Sequence, residues 1–162
     1  MHVLSPVTAW SNKMSYTRRK KPQGLQTTFT ANTSSQTVST TVLDINNSEI
    51  SYTPPTGNFE YVVYEYTIQM NRDPDSNTRV SFELREKIGA GSYSQLGSGY
   101  RTNEALDNNQ QTTLTGRFLI PIYSGTRTYK MTIRSFADNT EATLHTTRTP
   151  DVYSPIFQMY CI

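Results

Sequence analysis

From residue 61 onward apolar and polar positions alternate. In YVVYEYTIQM, Val62, Tyr64, Tyr66, Ile68 and Met70 share one parity, and Val80, Phe82 and Leu84 do the same in VSFEL. A period of two marks a strand with one face in a core. Leu114, Phe118 and Ile120 precede a Ser124-Gly125 turn and Tyr129, Met131 and Ile133 follow it, which predicts a β-hairpin over 114–136. Its other parity, Thr113, Thr115, Arg117, Thr128, Lys130, Thr132 and Arg134, is predicted to face outward. Further strands are expected at 26–30, 37–44, 50–52, 61–71, 78–88, 142–147 and 155–162. Turn chemistry separates them, as at Asn46-Asn47-Ser48, Pro54-Pro55-Thr56-Gly57 and Asp107-Asn108-Asn109. Only Arg101–Asn109 suggests helix, of one turn or two. This spacing of short strands predicts an all-β antiparallel sandwich or barrel.

Composition agrees. Tyr (11 residues) and Phe (6) accompany abundant Thr, Ser and Asn, while hydrophobic residues make up 35%. These types suit strands and turns. A chain of 162 residues fits one domain with an extension. Residues 1–24 form that extension, an extended arm without periodicity, punctuated by Pro6 and Pro22, and residues 25–162 form the β-sandwich domain. Charge divides at the same place. The arm holds Lys13, Arg18, Arg19, Lys20 and Lys21 with no acid, a charge of +5, which leaves −3 on residues 25–162 of a net +2.

The arm also carries Val3, Leu4, Val7 and Trp10, so Trp10 with Arg18, Arg19, Lys20 and Lys21 are its expected contacts to a neighbouring surface. The basic run could instead neutralise phosphates of a nucleic acid, although no aromatic residue interleaves with it to stack on bases. The arm's charges follow its apolar residues, the reverse of a secretory signal, and no run approaches the length of a membrane span. No classical signal and no membrane span are therefore expected.

Chemistry-bearing residues are sparse. Asp73, Asp75 and Asn77 alternate in NRDPDSN, a spacing at which loop oxygens can converge on Ca²⁺, but Thr78 and Arg79 follow where an EF-hand loop needs glycine; an Asx-rich hairpin loop is the simpler expectation. The loop GAGSYSQLGSGY offers Tyr93 and Tyr100 as candidates for recognition, on a Gly- and Ser-rich connection. His2 and His145 stand apart from any nucleophile and acid, and Glu83 and Glu86 are expected to be surface charges on a strand. Cys161, the single cysteine, excludes an intramolecular disulfide and is expected in the core. Neither catalysis nor a cofactor is expected.

The succession ISYTPPTGNFEYVVYEYTIQM, VSFELRE, LTGRFLIPIYSGTRTYKMTIRSF and PIFQMYCI resembles jelly-roll domains of the tumour necrosis factor and complement globular-head type, above all the viral capsid-associated and fibre-head versions. The resemblance spans about residues 45–162. It implies a jelly-roll-like β-sandwich of about 8–10 strands, no enzymatic activity, and a homo-oligomer, expected to be a trimer with aromatic residues near its axis. Tyr61, Arg117, Tyr129 and Arg134 are the candidates for the oligomer face. The function expected is that of a viral structural protein in the virion, a capsid or cement subunit whose partners are its own copies and other capsid proteins. The alternative is a fibre head that binds a host receptor or glycan.

Overall fold

The structure, a computed structural model, describes residues 22–29, 35–72, 79–105, 111–136, 142–144 and 155–162. In chain order the strands are β1 (Gln23–Phe29), β2 (Gln36–Val38), β3 (Leu43–Asp44), β4 (Ile50–Tyr52), β5 (Tyr61–Arg72), β6 (Arg79–Ile88), β7 (Ser94–Gln95), β8 (Arg101–Ala105), β9 (Gln111–Pro121), β10 (Arg127–Ser135), β11 (Ala142–Leu144) and β12 (Ile156–Cys161). A 3₁₀ turn, Ser98–Tyr100, precedes β8.

Two antiparallel sheets result. In the first, β5 pairs along its whole length with β9, from Tyr61↔Pro121 to Asn71↔Gln111. Its other edge is shared: β12 takes Val62 to Thr67 and β11 takes Met70 to Arg72. β1 then pairs β12, and β2 pairs β11. In the second sheet β10 pairs β6 from Arg127↔Ile88 to Ser135↔Val80. β3 and β4 share the free edge of β10, and β8 and β7 share that of β6. With each shared edge taken as one strand, the sheets run β1–β12–β5–β9 and β3/β4–β10–β6–β8. The chain passes back and forth between them, which is the jelly-roll arrangement of a β-sandwich.

The parity argument holds wherever it names the core. Val62, Tyr64, Tyr66, Ile68 and Met70 of β5 face Val80, Phe82 and Leu84 of β6 and Tyr129, Met131 and Ile133 of β10, all buried in one cluster with Phe157, Met159 and Cys161. Gly116 fits the same packing. It lies opposite Tyr66 in register, and a Cβ there would stand 2.4 Å from the Tyr66 hydroxyl. Ser48 closes the break between β3 and β4: its hydroxyl donates to the Ile45 carbonyl and accepts from Met131 N–H, while Tyr64 donates to the Ser48 carbonyl. Cys161 is free and buried, as expected.

Expectations about several elements are corrected. Residues 114–136 are not a hairpin, because β9 belongs to the first sheet and β10 to the second; the Ser124-Gly125 turn, with Gly125 at φ +78°, carries the chain across the core. Alternation shows that both strands bury one face but not that they bury it from opposite sides. For the same reason β5 and β6 do not form the hairpin expected of them, since they also lie in different sheets. Arg101–Ala105 is strand rather than helix, because the open edge of β6 accepts it in register, with Arg101 opposite Glu83. Strand 37–44 is interrupted, leaving β2 in one sheet and β3 in the other. β1 also begins at Gln23, within the range assigned to the arm.

Candidate interaction surfaces

Three regions concern function: the outer face of each sheet, and the end of the sandwich near β7 and the 3₁₀ turn. On the first sheet the outward parity of β5 is Tyr61, Val63, Glu65, Thr67 and Gln69. Val63 is flanked in register by Tyr160 of β12 and Leu119 of β9. It has no exposed surface although it lies on the outward parity, while Leu119 is 42% and Tyr61 38% exposed. Ile162 joins this end by a pair of backbone bonds to Tyr61, and Ile122, also exposed, donates its N–H to the Glu60 carbonyl. An apolar belt therefore crosses the outer face: Tyr160, Val63 and Leu119, with Tyr61 and Ile162 beside it. Single exposed apolar residues are ordinary; a contiguous group on one face is not.

The belt ends at charge. Tyr160 donates a 2.6 Å hydrogen bond to the Glu65 carboxylate, and Arg117 stands opposite Glu65 in register. Burial first, then the bond to Glu65, pushes the Tyr160 hydroxyl up to about 12. Glu65, Thr115, Gly116 and Arg117 line an open hollow of about 260 Å³ next to the belt.

On the second sheet the outward row is polar. Glu83 accepts from Arg101 at 2.7 Å and from Arg85 at 3.3 Å. Lys130 pairs with Asp44 and stands 4.0 Å from the centre of the Tyr93 ring, which Lys87 approaches at 4.8 Å. Arg134 lies over Phe136 at 5.4 Å and, among the described residues, meets no carboxylate within ion-pair distance. Ser81, Glu83, Arg85, Arg101, Thr132 and Arg134 surround a pocket of about 50 Å³.

At the end of the sandwich, Glu86 turns inward, contrary to its expected place at the surface. Tyr129 donates to it at 2.6 Å and Arg127 at 2.9 Å, both onto one oxygen. Its parity is that of Leu84, so the strand carries it toward the core, where charge-assisted bonds offset desolvation. The bond to Glu86 raises the Arg127 pKa above its usual value; burial and then the same carboxylate raise that of Tyr129. Glu83 is likewise buried rather than a free surface charge, because two guanidinium groups cover it.

The predicted residues separate accordingly. Tyr61 and Arg117 lie on the outer face of the first sheet, Arg134 on that of the second. Tyr129 is corrected: it has no exposed surface and belongs to the chain's own core. Tyr93 and Tyr100 are half-buried, Tyr93 between two lysines and Tyr100 packed on Phe118 at 6.4 Å between ring centres. Trp10, Arg18, Arg19, Lys20 and Lys21 lie outside the described residues, as do Asp73, Asp75, Asn77 and His145. The reading from sequence missed Val63, Leu119 and Tyr160. Their signal was present: Leu119 breaks the polar parity of Thr113, Thr115 and Arg117, and Val63 breaks that of Glu65 and Thr67.

No family model matches the chain, and no curated protein matches it in sequence. Among solved structures, that of Eiger TNF from S. frugiperda is similar, with 12% identity and a TM-score of 0.49 over 86% of this chain and 93% of that one. The jelly-roll assignment rests on the strand order given above.

Proposed function

We propose that this chain is a structural subunit that associates with its own copies through the outer face of the first sheet, and that the resulting oligomer, a trimer, is part of a virus particle. The apolar belt, whose open members are Tyr61, Leu119 and Tyr160 around the covered Val63, carries the reading. Burying such a belt against a second copy removes apolar surface from water at about 25 cal/mol per Å², and aromatic residues favour the centre of such contacts. Glu65 and Arg117, at the edge of the belt, supply a complementary pair for fixing register rather than affinity. The place in a particle draws its support from the resemblance and from an arm of +5 on a domain of −3, a charge split suited to docking on neighbouring subunits.

Native mass measurement of the full chain tests the assembly, with three chains per particle expected. Leu119→Asp, at an exposed position, is expected to give folded monomers that keep the β-sheet circular dichroism of the wild type. A monomeric wild type, or an unchanged mass in the variant, overturns the interface. Recovery of the chain in a whole-number ratio to the other shell proteins of purified particles tests the virion assignment; its absence from them rejects that assignment alone.

A further inference from the structure

The outer face of the second sheet has the opposite sign from the domain it belongs to. Arg85 and Lys87 on β6, Arg101 on β8, and Lys130 and Arg134 on β10 share it. The carboxylates set among them are Glu83, Asp44 and Glu49. With Arg79, which shares the parity of Arg85 and Lys87 at the start of β6, six cations against three acids leave this face positive on a domain that is −3 as a whole.

The pocket at one end of the row is lined by Arg85, Arg101 and Arg134, by Ser81 and Thr132, by the apolar Val42 and by Glu83, which holds two of the three guanidinium groups in place. The Thr132 hydroxyl donates to the Glu83 carbonyl, so the arginines are the groups an oxyanion would meet there. A guanidinium has five N–H donors, so Arg85 and Arg101 keep donors beyond those spent on Glu83, and the fork shape suits tetrahedral oxyanions. At about 50 Å³ the space is small and has room for a single anionic group. Lys130 and Lys87 extend the row away from the pocket, so a ligand carrying several anions in series meets several cations at once.

The aromatic residues beside the row decide between polymers. Single-stranded nucleic acid needs open rings for its bases to stack on. Tyr93 already has ammonium groups at 4.0 and 4.8 Å from its ring centre, and Phe136 carries Arg134 at 5.4 Å. We propose that this face binds a sulfated polysaccharide, with one sulfate seated between Arg85, Arg101 and Arg134 and further anionic groups running along Lys130 and Lys87. The binding face is separate from the apolar belt and does not depend on it.

Calorimetric titration of the full chain with a sulfated glycosaminoglycan oligosaccharide tests this. The comparison ligands are an unsulfated, carboxylate-only oligosaccharide and a single-stranded oligonucleotide of equal charge. The sulfated ligand is expected to bind tightest. Arg134→Ala is expected to weaken it about ten- to a hundredfold, the loss of one or two charge-assisted bonds, with unfolding temperature and oligomer mass unchanged. Arg134→Lys, which keeps the charge and loses the fork, should fall between. Neutralising Arg18, Arg19, Lys20 and Lys21 together is expected to leave most of the affinity, and the Leu119→Asp chain should bind with wild-type affinity per site. Equal affinity for the unsulfated ligand or the oligonucleotide overturns the proposal. So does binding that vanishes with the arm's charges and ignores Arg134.

Discussion

Two rows of three residues face away from the same core. Across the first sheet, in register, stand Tyr160, Val63 and Leu119; across the second stand Thr132, Glu83 and Arg101. Both central residues are covered, but by different means. Val63 is covered by apolar neighbours that remain partly open to water, so the row is incomplete as it stands. Glu83 is covered by guanidinium groups that satisfy it, and Arg134 beside them meets no carboxylate within ion-pair distance among the described residues. An outward row of the first kind gains by excluding water, and one of the second kind by meeting a counter-charge. The lesson is that alternation tells which residues leave the core, while the make-up of the outward row tells what kind of surface they form.

The largest test of this contrast exchanges the chemistry of the two faces. Leu119→Asp is expected to abolish self-association, whereas Arg134→Glu should leave native mass unchanged and abolish binding of a sulfated ligand. The reverse pattern would show that the charged face joins the copies. Arg117→Glu, at the rim of the belt opposite Glu65, is expected to weaken assembly without abolishing it.

Salt comes next. Raising ionic strength from about 0.1 to 1 M shortens the screening length from about 10 to 3 Å. Polyanion binding on the second sheet should fall steeply in calorimetry while the sedimented mass of the oligomer stays constant.

Glu83→Gln sharpens the picture further. The substitution removes a covered charge and leaves Arg85 and Arg101 with a neutral acceptor, which should cost about 1–3 kcal/mol in denaturant unfolding. It also adds a net positive charge at the pocket, so affinity for the sulfated ligand should rise while stability falls. A loss of both would mean that Glu83 shapes the pocket more than it opposes the ligand.

The smallest effect is alkaline. Burial and Glu65 raise the Tyr160 hydroxyl to about 12, against about 10 in an unfolded chain. Its contribution is fully present below pH 10 and is lost as pH rises from 10 through 12. Tyr160→Phe is therefore expected to flatten the fall in stability over that window, as followed by unfolding at successive pH values.

Much of this architecture was legible in the residues. Inner faces were readable because burial imposes a period of two, and β5, β6, β9 and β10 end within a residue or so of where the alternation ends. Partner choice was not, since Leu114 to Phe136 alternates identically whether β10 folds back on β9 or crosses to β6. Glu86 shows the limit of charge as a guide: it shares the inward parity of Leu84, and what makes that tolerable, Tyr129 and Arg127, lies some forty residues away. Of the candidate surfaces, the aromatic and arginine positions were visible singly. Their division between two faces required the topology.

The crossing at Ser124-Gly125 has a kinetic consequence. A hairpin there would have offered a local nucleus, quickly formed. Instead Arg127 must find Ile88 and Gln111 must find Asn71, while β12 inserts between β5 and the distant β1. Such a chain has high contact order, which places refolding on the millisecond-to-second scale. Until closure, unpaired strand edges stay open to other chains, so refolding yield should fall as protein concentration rises.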